Sequence, residues 1–371
     1  MTTIRRLIYG EIAVAVGFVL LAFLSLFFFF DVVDELPMLG RAVPGDPTQV
    51  YGLRHALTFV ALFVPNRVYE LMPIAVLIGS VFVMTRLAQS SEFTILRTSG
   101  LGPWQALRTL LGLGLVFVTL TFAVGDYLAP MTDRAGQLLK ARFQGRLSVG
   151  QTGAWLKEQQ GQTTYSVNVG AMRADSTLQD IRVFEFDKKG HLLSTFRAET
   201  GRIDGDTEGW TLQGVERQVF SSGGDKTLRT TRTDSFQWPT ELSAEMVSVA
   251  LLKPERMRTI DLFAYVNHLK ANGQTAQRYE IEFWRKVFYP LSCLVMVVLA
   301  LPFAYLHFRS GGTAGYVFAG VMIGISFFLL NNVFGYIGNL RAWQPWLAAA
   351  APALLYSVAS LGAFGWLVLR R

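Results

Sequence analysis

Long apolar runs joined by short polar links make up both ends of this chain, and a polar segment with a different periodicity separates them. A helix that crosses the hydrocarbon core of a bilayer needs about 20 mostly apolar residues. Runs of that kind lie at Ile12–Phe30, about Leu57–Met84, Ala106–Val124, Val287–Phe308, Tyr316–Ile337 and Trp346–Leu369. They predict six transmembrane helices. Between the third and fourth runs the pattern turns to strands: "TTYSVNV", "LQDIRVFEF", "LLSTFRAET", "GWTLQGVERQVF" and "KTLRTTRTDSFQW", punctuated by "DKKG", "GDTEG" and "SSGGD". Evenly spaced short strands with such turns predict a sandwich, jelly roll or barrel-like sheet. The expected class is therefore a membrane α-helical protein with an inserted all-β, jelly-roll-like domain. Its segments are 1–131 (first three spans, with a short helix near 91–99), 132–275 (β-rich) and 276–371 (last three spans).

Within the β segment, Ile181 and Val183 point one way and Phe184 and Phe186 the other. Both faces then carry apolar side chains, which fits either a core plus a docking surface or an apolar groove. Further on, "MRTIDLFAYVNHLKANG" reads as a helix with Thr259 as N-cap and Gly273 closing it. Thr275 opens another helix that runs through "RYEIEFWRK" into the fourth span.

Composition agrees with a membrane protein. The 371 residues are 51% hydrophobic and 16% charged, against about a quarter charged in soluble domains. The first run is too long for a signal-peptide core and lacks a small-residue cleavage site, so it reads as a retained span. The net charge of +7 reflects basic residues at span ends, with no call for a nucleic-acid partner. The single cysteine, Cys293, allows no internal disulfide. Short cytoplasmic loops favour Lys and Arg. With the N-terminus inside, that side collects Arg5, Arg6, Arg86, Arg97, Arg309, Arg370 and Arg371, while Arg341 dissents in a short outer loop. Both termini are then cytoplasmic and the β segment is external.

Catalytic chemistry is absent from the pattern. There is no P-loop, zinc-protease helix or nucleophile elbow, and the four histidines fall on both sides of the membrane, which argues against a metal site. The last three apolar runs hold no Asp, Glu, Lys or Arg, which weakens both an intramembrane protease and an ion-driven carrier.

Charges do occur near membrane depth. In "LFVPNRVYELMPIAV", Arg67 and Glu70 lie between Pro65 and Pro73, expected to interrupt hydrogen bonding within the second helix. A local ion pair at a proline kink and a cavity-lining cation that meets an anion are both open readings. Beyond the third run, Arg134, Lys140 and Arg142 recur at near-helical spacing in "MTDRAGQLLKARFQG". Such residues either snorkel to the interface or converge on phosphate, for which the planar guanidinium is suited.

Three features together resemble one family. They are "RLAQSSEFTILRTSGLGPWQAL" after the second span, "RYEIEFWRKVFYPLSCLVMVVLALPFAY" at the fourth, and the layout of three spans, β domain and three spans. The chain is similar, from end to end, to the lipopolysaccharide-export permeases. The Arg278, Tyr279, Trp284, Pro290, Leu291, Ser292 block and "FGYIGNL" favour one of the family's two paralogues over the other. The resemblance implies a subunit of an ABC transporter in the inner membrane of a Gram-negative bacterium. It would extract lipopolysaccharide from the outer leaflet and pass it toward a periplasmic bridge (LptA). Implied partners are the paralogous permease (LptF), an ATPase dimer (LptB) and a single-span protein (LptC). No cofactor is expected on this chain, ATP and Mg belonging to the ATPase.

The resemblance also gives roles to residues. The short cytoplasmic helix would lie in a groove of the ATPase, with Ser91 as cap, Glu92 at its positive end, Phe93 and Leu96 on one face, and Arg86 and Arg97 flanking; Gly100 ends it. An amphipathic loop resting on lipid is the rival reading. Lipid phosphates would meet Arg41, Arg67, Arg134, Lys140 and Arg142, and acyl chains would meet Phe27, Phe28, Phe29 and Phe30, unless those rings simply face bulk lipid. The chain departs from the family's basic pattern: Asp31, Pro37, Met38, Asn66 and Gln137 stand where relatives place Lys or Arg. A scaffold without transport, or a permease for another amphiphile such as a lipoprotein, remains as an alternative.

Overall fold

The computed structural model describes residues 2–43, 46–90, 92, 95, 98, 100, 102–144, 153–173, 177–203, 209–220, 228–243, 246–247, 254–305 and 313–369. Eight helices are found among them: α1 (Thr2–Glu35), α2 (Leu53–Gln89), α3 (Pro103–Ala123), α4 (Ala129–Gln144), α5 (Thr259–Ala271), α6 (Gln277–Ala304), α7 (Thr313–Leu340) and α8 (Pro345–Leu369). Among the described residues, six helical stretches are long and apolar enough to cross a membrane, as the hydropathy pattern predicts. The chain forms two compact units. One comprises Met1–Asp34, Val60–Thr132 and Glu280–Arg371; the other comprises Glu35–Phe59 and Asp133–Tyr279.

In the helical unit, α2 is the centre and α1 the flank. Of their apolar windows, 83% of α2 is buried and 11% of α1. Ala75, Val76, Leu77 and Val81 of α2 pack in one core with Cys293, Met296 and Val297 of α6. As the single Pro-containing run predicts, α2 continues through both Pro65 and Pro73. A buried helix tolerates proline when neighbours satisfy the freed carbonyls. Near Pro73 the Tyr289 hydroxyl donates to the Glu70 carbonyl at 2.5 Å, although the acceptor that Pro73 itself frees is the Tyr69 carbonyl, four residues back. The α3 helix continues into α4 through a π-helical turn, Val124–Leu128. The Gly125 carbonyl in that wider turn accepts from Lys286 Nζ at 3.2 Å.

The second unit holds a hairpin of β1 (Ala42–Val43) and β2 (Asp46–Val50), and a six-stranded antiparallel sheet. The sheet runs in chain order: β3 (Ala154–Gln160), β4 (Thr163–Met172), β5 (Leu178–Phe186), β6 (Leu192–Ile203), β7 (Trp210–Phe220) and β8 (Leu228–Trp238). Five strands match the predicted runs. The sixth, β3, is not legible in "AWLKEQQ", because its inward alternation of Ala154, Leu156 and Glu158 ends on a carboxylate. Glu158 is buried but satisfied by the Thr240 hydroxyl and the Glu241 amide.

Ile181 and Val183 are buried on one face of the sheet, with Phe196. Phe196, Phe236, Trp210 and Trp238 form an edge-to-face ring cluster there. On the opposite face, Trp155 stacks on Phe184. Both faces are thus apolar, but unequally so. The α5 helix starts at Thr259 itself, with Arg258 in the N-cap position, and Gly273 turns the chain at φ +63°.

Candidate functional site

Arg67 is the best-held of the predicted cations. On α1, Phe27 and Asp31 lie four residues apart and so share a face; on α2, Phe63 and Arg67 do the same. The guanidinium reaches Asp31 by two bonds, Nε to Oδ2 at 3.1 Å and Nη2 to Oδ1 at 2.7 Å. Its remaining arm, Nη1, meets Glu70 Oε2 at 3.2 Å. The Phe27 and Phe63 ring centroids lie 4.9 and 5.0 Å from the Arg67 Cζ. Of the two open readings of Arg67, the structure shows the ion pair, with Glu70 locally and with Asp31 on α1. It is an ion-paired residue, and its partner across the helix interface is Asp31, noted from sequence only as a departure.

In the other unit, Lys140 of α4 also has a carboxylate. Its Nζ lies 2.5 Å from Glu35 Oε1 and 4.6 Å from the Phe59 ring centroid. Glu35 is buried and accepts from the Tyr51 hydroxyl at 3.2 Å. Burial and the Glu35 charge both raise the pKa of the Tyr51 phenol. Tyr51 packs edge-on against Phe143. Arg142 Nη2 donates to Gln49 Oε1 at 2.8 Å. Arg41, Arg134 and Arg142 are exposed. A phosphate entering at Arg67 or Lys140 must compete with a carboxylate already in place.

Of the aromatic run, Phe27 serves Arg67, while Phe29 and Phe30 are 63% and 53% exposed. Phe28 is less exposed than either.

Of the predicted coupling residues, Glu92 is helical and exposed, as are Ile95 and Thr98, three and six residues on. Ser91, Phe93, Leu96 and Arg97 lie outside the described residues. Gly100 has φ +101°, as expected of a residue that closes a helix. Arg86 is turned toward the bundle, with Nη2 2.6 Å from Glu11 Oε1. Nothing in the sequence pairs Glu11 with Arg86, since residues 75 positions apart share no periodicity.

Two features define the class: a bundle of six apolar helices, and an antiparallel β domain inserted between the third and fourth spans. The chain matches the family described as lipopolysaccharide export system permease LptF/LptG over residues 6–370. It therefore belongs to the LptF/LptG family of lipopolysaccharide export permeases. It is 28% identical over 341 residues to the lipopolysaccharide export system permease protein LptG of Escherichia coli K12, covering 91% of this chain and 90% of that protein. It is 26% identical over 360 residues to LptG of Haemophilus influenzae, covering 96% and 97%. Both relatives are LptG, the paralogue that the "RYEIEFWRK" and "FGYIGNL" blocks favoured.

Proposed function

We propose that this chain is the LptG-type permease of an ABC transporter that lifts lipopolysaccharide from the outer leaflet of the inner membrane. A partner ATPase dimer (LptB) drives it, a paralogous permease (LptF) pairs with it, and LptC and LptA carry the lipid onward. Its termini lie in the cytoplasm and its β domain in the periplasm. Basic side chains at the outer rim, Arg41, Arg67, Arg134, Lys140 and Arg142, meet the lipid's phosphates, and Phe28, Phe29 and Phe30 meet acyl chains.

The observation that carries this reading is the exposed helical face at Glu92, Ile95 and Thr98, in a joint between two spans of a chain with no nucleotide-binding motif. A helix as short as the one expected near 91–99 cannot hold membrane well by itself, but laid into a groove it transmits force. The test is reconstitution in vesicles with the ATPase and lipopolysaccharide. Wild-type complex moves lipid and hydrolyses ATP faster with lipid present; Glu92→Lys loses assembly or coupling. Full transport by that variant removes Glu92 from the contact, and a wild-type complex that neither moves lipid nor stimulates hydrolysis is a scaffold.

A further inference from the structure

The face of the main sheet opposite the aromatic cluster carries a pocket of about 460 Å³. Strand pairing builds it in rows. Lys157 of β3 lies opposite Ser166 of β4, and Gln159 lies opposite Thr164, which in turn faces Phe186 of β5. Their neighbours along the strands, Leu156, Val167 and Val183, are buried on the other face, as strand alternation requires. Lys188, in the turn between β5 and β6, lines the same pocket. Phe184, the partner of Ser166 on β5, stacks on the half-exposed Trp155.

The polar side chains of this pocket are not spent on one another. Among the described residues, Lys157 and Lys188 have no ion pair, and the side chains of Gln159, Thr164 and Ser166 make no hydrogen bond. Lys157, Thr164 and Ser166 are nevertheless only partly exposed, so each gives up some water without a protein partner in exchange. The one carboxylate among the lining residues, Asp187, is already taken. Its Oδ1 accepts from the Lys189 and His191 amides at 2.8 Å, and its Oδ2 lies 3.0 Å from His191 Nδ1.

We infer that this pocket binds an acidic sugar, a pyranose that carries a phosphate or a carboxylate. The acid group meets the ammonium groups of Lys157 and Lys188, which can only donate and so match an anion. Ring hydroxyls meet Gln159, Thr164 and Ser166, whose side chains, like hydroxyls, both donate and accept. The Phe186 ring offers a flat apolar wall to the C–H face of the sugar. Inorganic phosphate fits less well, because it would use the lysines and leave the hydroxyls and the ring uncovered. An acidic peptide would add to the backbone of the edge strand β3 rather than enter a pocket on the face. The volume suits a small molecule, for which pockets run from about 300 to 1,000 Å³. The class of ligand follows from the pocket alone; its assignment to the saccharide of the exported lipid rests on the function proposed above.

The test uses the purified full transporter in nanodiscs, with glucose 6-phosphate as the probe and saturation-transfer NMR as the readout. Glucose and inorganic phosphate serve as the neutral and the ringless comparison. Glucose 6-phosphate is expected to bind about tenfold more tightly than glucose, the scale of one charge-assisted bond, and inorganic phosphate should displace it only weakly. Lys157→Gln with Lys188→Gln should abolish the difference between the two sugars, while Thr164→Val with Ser166→Ala should weaken both alike, each at an unchanged unfolding temperature. Equal binding of the two sugars, displacement by inorganic phosphate as effective as by the sugar itself, or unchanged binding in the double lysine variant overturns the proposal. A photoreactive residue replacing Trp155 then separates the sources. Capture of lipopolysaccharide during ATP-driven transport supports the lipid's saccharide as the ligand. Transport without capture, with glucose 6-phosphate still bound, overturns that assignment and leaves a soluble acidic sugar. A wild-type complex that moves no lipid but still binds glucose 6-phosphate overturns the proposed function and not the sugar site.

Discussion

Arg67 and Asp31 are joined in a two-pronged ion pair across the α1–α2 interface, at 2.7 and 3.1 Å, with a phenylalanine ring 4.9 Å from the guanidinium on the α1 side. A carboxylate in this geometry occupies the same fork that a phosphate would take. On the proposed reading of Arg67 as a phosphate site, Asp31 competes with the lipid, and its removal has a definite sign.

Asp31→Asn should raise photocrosslinking of lipopolysaccharide beside Arg67 by about tenfold, equivalent to about 1.4 kcal/mol of relieved competition. Arg67→Glu should lower it and reduce lipid-stimulated ATP hydrolysis. Lipid lacking phosphate should not distinguish Asp31→Asn from wild type. A fall in crosslinking on Asp31→Asn would show instead that the pair only holds α1 in place.

The Lys140–Glu35 pair responds differently, because Glu35 is 6% exposed and also serves Tyr51. Glu35→Gln leaves an ammonium without its counter-charge, at a cost of about 1–3 kcal/mol. Glu35→Gln combined with Lys140→Met should recover most of the loss, since removing both charges leaves neither stranded. Thermal unfolding of the single and double variants in detergent checks this; equal midpoints for the two variants would refute it.

At Gly79, α2 packs directly against the backbone of α1. A Cβ there would lie 2.7 Å from the backbone nitrogen of Val16, and backbone cannot yield as a side chain can. Gly79→Leu should separate the two helices, at about 1–3 kcal/mol or more from overpacking. A cysteine pair placed across α1 and α2 should then crosslink more slowly than in wild type.

His268, half-buried in the β unit, stacks near Tyr265 at 6.4 Å. Burial lowers its pKa, and the Glu158 charge opposes this without overcoming it. The unfolded chain then binds the proton more readily, so stability from this site is complete above about pH 6.5 and is lost as pH falls below it. His268→Gln should flatten the decline in unfolding temperature between pH 7.5 and pH 5; a decline identical to wild type would show that His268 does not cause it.

The sequence by itself determined the membrane spans and five of the six strands of the main sheet, because burial in lipid or in a sheet writes a local period into the chain. Thus Leu178–Phe186 was readable to the residue. It also carried the family, through blocks such as "RYEIEFWRK". Tertiary structure alone decided the partners of the charges: Asp31 with Arg67, Glu35 with Lys140, Glu11 with Arg86. These pairs join residues 36, 105 and 75 positions apart, and no periodicity spans such a gap. The surroundings of α2 at Pro65 and Pro73 were decided in the same way. A proline's lost hydrogen bond is a local fact, whereas the packing around α2, such as Tyr289 of α6 reaching the Glu70 carbonyl, comes from another helix.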